Sequence, residues 1–319
     1  MRMRGIAYAL AGLAFACGLA ATNVYAEQPK SNEPIKLAVH DWTGNFITTG
    51  IAKAILEKAG YKVQLIQAEY MGMWPGLESG DIDLAVEVWA TSAGDLMNAS
   101  VATGKTVNLG ESGLLGFDRW WYPKYVEEKC PGLPSYKALN DCAKLFATPL
   151  TGSKGRILLM PSAWGGFDDE RIEALGLNFE IVRAGSEASL YAEVKAAVER
   201  KQPILTWLYE PHWAPLRFEG NWVQMPKYEE ACYKDPAWGV NPNKAYDCDK
   251  PSGPIWKVAW SGMPKKWPDA ASIISAMKLD NAELGRMIGA IDIDGKKPED
   301  VVAQWLSDNK DRWQTWLPK

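Results

Sequence analysis

Histidine and phenylalanine are scarce in this chain of 319 residues, which contains 2 His and 7 Phe. Two histidines leave few candidates for acid–base catalysis by imidazole. The chain also lacks a Gly-x-Ser-x-Gly elbow, a His-Glu-x-x-His motif and a glycine-rich nucleotide loop. These absences argue against a serine hydrolase, a zinc peptidase and a nucleotide-dependent enzyme.

A strong excess of charge of either sign is also absent. The 35 Lys and Arg residues stand against 39 Asp and Glu residues, and 47% of the chain is apolar. This composition is ordinary for a globular protein. It excludes a disordered chain and a basic nucleic-acid-binding protein as first interpretations.

Long apolar runs are absent except at the amino terminus. Two arginines precede the apolar run 6–21, and small residues occupy the first and third positions of 24–26. This pattern is typical of a secretory signal peptide, so we exclude residues 1–26 from the fold and expect an exported chain in the periplasm. Lipidation at Cys17 is the alternative that the same segment leaves open.

Cysteine is sparse beyond the predicted signal peptide, where four residues remain: Cys130, Cys142, Cys232 and Cys248. An even number of cysteines in an oxidising compartment indicates disulfides, here two. Proximity along the chain favours pairing the first with the second and the third with the fourth. A zinc site is the competing interpretation, but no Cys-x-x-Cys pair exists, so no metal is expected.

Apolar periodicity predicts an α/β fold. Short apolar runs near 35–40, 61–68 and 83–89 alternate with segments of helical spacing, which is the signature of a parallel sheet. The same alternation resumes after residue 135 and gives a second lobe. In the segment 218–254 the periodicity fails and Pro, Asn, Asp and Gly accumulate, which predicts a disulfide-pinned excursion.

Tryptophan is abundant, with 16 residues, and several aromatics lie where predicted strands end. Those at the strand ends are Trp42, Trp89, Trp164 and Tyr209. Open parallel sheets bind ligands at the carboxyl ends of their strands. A single tryptophan there is most simply a core residue. Four aromatic residues at the same edge of the sheet predict a binding site instead.

An aromatic cage is the usual solution for an onium cation, which has no N–H to donate and is attracted to ring faces. Stacking on sugar rings is the rival use, but the segments around these tryptophans are poor in the polar side chains that sugars need. A different class of function also stays open, because Glu87 and Glu210 each sit at a predicted strand end. Such a carboxylate pair would suit a periplasmic hydrolase.

Several motifs of the chain resemble those of the periplasmic substrate-binding proteins of ABC importers for glycine betaine, proline betaine and choline. The resemblance covers most of the chain, from Ile35 to about Trp316. The motifs that carry it are His40-Asp41-Trp42-Thr43, Gly80-Asp81-Ile82-Asp83 before Glu87-Val88-Trp89, Met160-Pro161-Ser162-Ala163-Trp164-Gly165, Tyr209-Glu210-Pro211-His212, Ala303-Gln304-Trp305-Leu306 and Trp316-Leu317.

The resemblance implies a two-lobed type II periplasmic binding protein, each lobe a mostly parallel sheet flanked by helices. Lobe one would span 35–113 plus 255–319, and lobe two 114–254. The chain would act as a monomer without a cofactor and deliver its ligand to ABC permease and ATPase subunits at the inner membrane, with no nucleic acid involved.

The resemblance also implies the cage positions. Trp42, Trp89 and Trp120 would come from the first lobe and the crossover between lobes. The family often has Trp where this chain has Tyr209, so the fourth wall stays open among Tyr209, Trp207 and Trp164. Glu87 and Glu210 would neutralise the onium charge or orient neighbouring residues.

The other end of a betaine is a carboxylate, which needs hydrogen-bond donors. Predicted helix starts at Thr43-Gly44 and near Gly165 offer backbone N–H groups, and His212 is a further candidate donor. Choline-type relatives tend to carry an acid where this chain has Gly44. We therefore expect glycine betaine or dimethylsulfoniopropionate to bind more tightly than choline, with choline and trimethylamine N-oxide as alternative ligands.

Overall fold

The computed structural model describes residues 31–318, so the predicted signal peptide lies outside the described residues. The strands are β1 (Ile35–Val39), β2 (Val63–Gln67), β3 (Leu84–Trp89), β4 (Thr106–Pro123), β5 (Gly155–Leu159), β6 (Phe179–Arg183), β7 (Leu205–Glu210), β8 (Gly220–Trp222) and β9 (Gly253–Trp260). The helices are α1 (Thr43–Lys58), α2 (Trp74–Ser79), α3 (Ala90–Ala102), α4 (Asp168–Ala174), α5 (Glu187–Glu199), α6 (Ala214–Arg217), α7 (Glu230–Lys234), α8 (Met263–Lys266), α9 (Pro268–Ala276), α10 (Asn281–Asp292), α11 (Pro298–Asp308) and α12 (Lys310–Gln314).

The strands form one sheet with two parallel halves. Their order is β2-β1-β3-β9-β4-β7-β5-β6, with β8 paired to β4. Neighbours among β1, β2 and β3 are parallel, and so are neighbours among β5, β6 and β7. Strands β9 and β4 lie between these halves and run antiparallel to their neighbours. The predicted α/β fold with two mostly parallel half-sheets is confirmed.

The long strand β4 joins the two halves. It pairs with β9 as far as Gly116 and with β7 from Phe117 onward. The chain returns to the first half where β9 begins at Gly253, close to the predicted boundary at residue 254. The predicted boundary at residue 113 falls inside β4. As domain limits, both boundaries stay predictions.

Two parts of the chain differ from the periodicity. The helix expected near 135–146 is replaced by two short 3-10 turns, in a segment where Cys130 and Cys142 are paired. In 218–254 the structure contains only the short elements β8 and α7 before β9 begins at Gly253, and it pairs Cys232 with Cys248. Both local pairings are those expected from the spacing, and their presence as bonds in the native protein stays a prediction.

Apolar side chains from both half-sheets and their flanking helices form one buried cluster. In the first half, α1 packs against α10 and α11. No helix within residues 31–318 combines the length and apolar character needed to cross a membrane. The same range contains no cluster of three or more His, Cys, Asp or Glu side chains placed to hold a metal ion.

Candidate ligand-binding site

Aromatic side chains from both half-sheets meet at the carboxyl ends of the parallel strands. In the first half, Trp42 precedes α1 just after β1, and Trp89 is the last residue of β3. In the second half, Trp164 follows β5, while Trp207 and Tyr209 lie on β7. All five rings are buried. The strand order therefore brings together side chains that are far apart in sequence.

These rings surround a small cavity between the two half-sheets. Its lining residues are Trp42, Tyr70, Trp89, Thr91, Ser92, Asp118, Met160, Trp164, Trp207 and Tyr209. Adjacent rings pack edge to face or at a tilt, with centroid separations of 5.2 Å for Trp42–Trp164 and 5.9 Å for Trp164–Trp207. Such packing fixes the rings against one another and makes a preformed aromatic wall.

Glu87 holds the two tryptophans of the first half. Its Oε1 accepts hydrogen bonds from the indole N–H groups of Trp42, at 2.7 Å, and Trp89, at 3.0 Å. Its Oε2 accepts from the Thr48 hydroxyl at 2.6 Å. Burial raises the pKa of Glu87 above its ordinary value, although these hydrogen bonds favour the charged form. The carboxyl group thus fixes the ring orientations from behind the cavity.

Asp118 on β4 occupies a different position, because it lines the cavity itself. Its Oδ2 accepts hydrogen bonds from the indole of Trp207 and from the Lys250 ammonium, both at 2.8 Å. Its Oδ1 is buried and has no hydrogen-bond partner among the described residues. Burial by itself would raise the pKa of Asp118, but the Lys250 charge outweighs it and holds that pKa below its usual value. The site therefore carries a negative charge with one unpaired oxygen.

The ion pair behind Asp118 extends into the second half. Lys250 also donates to Asp168 Oδ2 at 2.8 Å, and Asp168 Oδ1 accepts the Trp120 indole N–H at 2.8 Å. Lys250 is 2% exposed, so its ammonium depends on these two carboxylates. Trp120 is consequently held behind the wall and does not line the cavity.

Polar contacts also join the two halves around the cavity. The Trp164 indole donates to Asp41 Oδ1 at 2.7 Å, and the Thr43 backbone N–H donates to Glu187 Oε2 at 2.7 Å. The second oxygen of Glu187 accepts from the Tyr209 hydroxyl. Burial raises the pKa of Glu187 to about 7. These contacts connect the two halves on either side of the rings.

The structure brings five of the expected cage residues to the cavity and places others elsewhere. Trp42, Trp89, Trp164, Trp207 and Tyr209 line it, so the alternatives for the fourth wall all contribute. The expected site residues outside its lining are Trp120, Glu87, Glu210, Thr43, Gly44, Gly165 and His212.

Three of these residues have other surroundings in the structure. Glu210 lies in a separate groove with Leu115 and Trp222. The Thr43 N–H is already bonded to Glu187. The imidazole of His212 stacks on Tyr191 with ring centroids 4.0 Å apart, and burial lowers its pKa.

The two glycines near the expected carboxylate donors also lie away from the cavity. A Cβ added to Gly44 would meet Ile288 and Trp42, whereas one added to Gly165 would meet Met71. The Gly165 N–H is bonded to the Ser162 carbonyl oxygen. The donors expected for a ligand carboxylate therefore do not converge on this cavity.

Sequence reasoning missed five lining residues: Tyr70, Thr91, Ser92, Asp118 and Met160. Thr91 and Ser92 come two and three residues after Trp89, in the first turn of α3, so their position can be inferred from the predicted strand end. The position of Asp118 cannot be inferred in this way, because the periodicity of the sequence does not predict β4 as a strand. The hydroxyls and the carboxylate are the polar part of the site.

Comparisons with known proteins agree with this architecture. Residues 33–308 match the family model described as the substrate binding domain of an ABC-type glycine betaine transport system. A trimethylamine N-oxide-binding protein of Pelagibacter ubique is 30% identical over 295 residues, covering 89% of this chain and 90% of that protein.

Solved structures show the same fold at lower sequence identity. A choline-binding protein in complex with choline aligns with a TM-score of 0.71 and 19% identity, covering 91% of this chain and 93% of its own. A glycine betaine/L-proline-binding protein from Borrelia burgdorferi aligns with a TM-score of 0.72 and 20% identity, covering 90% and 97%.

The two parallel half-sheets joined at β4 and enclosing a cavity at their strand ends define a type II periplasmic binding protein. The chain belongs to the family of substrate-binding domains of ABC-type glycine betaine transport systems. Proteins of this family bind substrates for transporters and are not enzymes.

Proposed function

We propose that this protein captures a compact methylated onium compound without a carboxylate and presents it to an ABC importer. The observation that carries the proposal is one cavity walled by four Trp and Tyr209 and lined by Asp118, whose Oδ1 is unpaired. Trimethylamine N-oxide and choline are the two candidates of this kind.

The cationic character of the ligand follows from the wall. Each ring face attracts an onium charge by roughly 0.5–2 kcal/mol, depending on how well water is excluded. The residues that line the cavity, all within 31–318, include no Lys, Arg or His. An ionised Asp118 adds full negative charge, so a ligand with a positively charged head group is favoured over one without.

The absence of a ligand carboxylate follows from the donors. The indole N–H groups of Trp42 and Trp89 are bonded to Glu87, and that of Trp207 to Asp118. A carboxylate in the cavity would meet the charge of Asp118 without a cation to offset it, which is costly when buried. This proposal departs from the expectation that glycine betaine or dimethylsulfoniopropionate is preferred.

A short polar tail has partners in the same cavity. The hydroxyls of Thr91 and Ser92 can donate to an N-oxide oxygen, and Asp118 Oδ1 can accept from the hydroxyl of choline. The relative from Pelagibacter ubique is named for trimethylamine N-oxide, and the neighbour of known structure holds choline. Both names are compatible with this arrangement of donors and acceptor.

The protein would act in the periplasm, which it would reach through the signal peptide in 1–26. There it would act as a monomer beside permease and ATPase subunits. The alternative of a hydrolase using Glu87 and Glu210 gains no support, because the first lies behind two indoles and the second in a separate groove.

Calorimetry on purified protein freed of bound ligand tests the proposal. The panel contains trimethylamine N-oxide, choline, tetramethylammonium, glycine betaine, dimethylsulfoniopropionate and a disaccharide. We expect choline or trimethylamine N-oxide to bind most tightly, at least about tenfold above glycine betaine or dimethylsulfoniopropionate. The carboxylate of those two compounds would be repelled by the ionised Asp118, and the lining residues supply no cation to offset it. A carboxylated compound or the sugar as the tightest ligand would overturn the proposal.

A further inference from the structure

We infer that the irregular segment 218–254 serves the binding site through Lys250, whose ammonium positions the Asp118 carboxylate and keeps one of its oxygens available for the ligand's charge. The inference rests on the proposed function, since it concerns the same cavity. Lys250 itself does not line that cavity. It is therefore a positioning residue, which acts on the ligand through Asp118.

The contact geometry separates the two oxygens of Asp118. Lys250 Nζ and the Trp207 indole both engage Oδ2, each at 2.8 Å, while Oδ1 keeps no partner among the described residues. A buried carboxylate with one free oxygen is costly unless a cation stands nearby. Lys250 supplies that cation from the side away from the cavity. The arrangement leaves the unpaired oxygen for the ligand.

The segment is built to hold Lys250 in place. The carbonyl oxygen of Cys248, two residues earlier, accepts from Arg171 Nε at 2.7 Å, and the Tyr233 hydroxyl bonds to the same guanidinium at 2.9 Å. Cys248 is also paired with Cys232. Arg171 and Cys248 are thus buried anchors for a stretch of chain that has little regular structure.

The opposite wall is shaped for the ammonium. Gly166 has a φ of +111°, and a Cβ at this position would lie 2.9 Å from Lys250 Nζ. Only glycine adopts that backbone region readily while leaving this space free. The charge of Lys250 is therefore accommodated by both the backbone of Gly166 and the carboxylate of Asp168.

Removal of the ammonium changes which protonation state of Asp118 is stable. The charged and titratable groups that act on Asp118 from the surrounding elements are Lys250, Asp168, Arg171, Tyr70 and Tyr233. Without Lys250, burial and the neighbouring Asp168 would disfavour the charged form. A protonated Asp118 would retain its shape but lose the charge that attracts the onium group.

The test measures the affinity for choline and for tetramethylammonium between about pH 5 and pH 8, a range in which neither compound titrates. In the wild type the affinity is expected to stay level across this range. In Lys250→Met it is expected to fall about tenfold or more at the acidic end and to recover as the pH rises. Lys250→Gln, which keeps a donor amide in place, carries the same prediction should the Met variant fail to fold.

Two further variants separate positioning from packing. Lys250→Arg retains the cation and is expected to restore the level profile. Lys257→Met removes another fully buried lysine, one that donates to the carbonyl oxygens of Ser275 and Met277, and should leave the profile level. A merely structural role of Lys250 would weaken binding equally at every pH.

The outcomes distinguish the two proposals. A wild type that binds neither probe overturns the proposed function, and the inference with it. A wild type that binds, together with level profiles in Lys250→Met and Lys250→Gln, overturns the inference alone. A pH-dependent loss in both charge-removing variants and a level profile in Lys250→Arg support it.

Discussion

Two buried carboxylates stand at the same cavity, and their surroundings give them different tasks. Glu87 in the first half has neutral partners only, two indoles and a hydroxyl, and burial raises its pKa. Asp118 on the joining strand has the Lys250 cation on one oxygen and no hydrogen-bond partner within residues 31–318 on the other, and its pKa is lowered. Glu87 orients the rings, whereas Asp118 is available to a ligand.

The difference shows why an acid near an aromatic cage cannot be assigned from its residue type. A carboxylate whose lone pairs are all used by neutral donors contributes geometry. A carboxylate whose counterion is fixed on the side away from the cavity contributes negative charge to the cavity. The number and kind of partners, and not burial, separate the two.

The largest expected effect is on Asp118. Asp118→Asn should weaken binding of the preferred onium compound about a hundredfold, because the charge is removed from a dry cavity. Glu87→Gln should cost only about tenfold, since the amide oxygen can still accept from both indoles and only the contact with the Thr48 hydroxyl changes. Calorimetry on both variants measures the ratio of the two affinity losses. Equal losses of affinity in the two variants, or a larger loss in Glu87→Gln, would contradict the different roles of the two carboxylates.

A third buried carboxylate, Glu187, resembles Glu87 in this respect, because its one ion-pair partner within residues 31–318 is His212, whose pKa burial lowers. Its pKa is raised to about 7, so the folded state holds the proton more strongly than the unfolded chain. The wild-type free energy of unfolding should therefore fall relative to that of Glu187→Gln by roughly 2 kcal/mol between about pH 5 and pH 7.

Urea unfolding of both proteins at the two pH values measures this difference. The stabilising contribution of Glu187 is present in acid and lost as the pH rises through its folded-state pKa. Parallel pH dependence in the wild type and the variant would show that Glu187 is not perturbed in this way.

Ring removal tests the wall itself. Trp42→Ala and Trp89→Ala should each weaken ligand binding at least about tenfold with the fold intact, because a cage face is lost and water enters. Trp120→Phe keeps an aromatic ring behind the wall and should change affinity by no more than about threefold. The exposed Trp238 offers a matched control as Trp238→Ala. Wild-type affinity in both cage variants would remove these rings from the site.

The smallest effect concerns the two cysteine pairs. Non-reducing peptide mapping should find Cys130 bonded to Cys142 and Cys232 bonded to Cys248. Replacing the second pair by serines should lower affinity only about threefold, because the segment that carries Lys250 becomes less ordered. The same change in the first pair should leave affinity unaltered. Crossed pairs or free thiols would refute the local pairing.

The parts of the site that could be predicted share one property: they follow directly from strands with clear periodicity. Trp42, Trp89, Trp164 and Tyr209 end or follow apolar runs, and parallel strands bring such residues to one edge. Their shared cavity could therefore be anticipated from sequence.

The rest depends on contacts that no local pattern encodes. Glycines at 110, 113 and 116 interrupt the apolar alternation of β4, so the sequence does not predict a strand around Asp118. Gly116 is needed because a Cβ there would lie 2.7 Å from the Trp89 ring. Lys250 comes from an irregular segment and meets Asp118 across 132 residues of chain. Only tertiary structure reveals that pairing.

We propose that the cavity between the half-sheets binds an onium charge against Asp118. A crystal structure of the protein grown with choline or trimethylamine N-oxide would show where such a ligand lies. We expect the onium nitrogen within about 6 Å of the ring centroids of Trp42, Trp89 and Trp207, with Asp118 Oδ1 in contact with the ligand. A ligand bound outside these rings, or a cavity in which Asp118 Oδ1 faces away from it, would contradict the account.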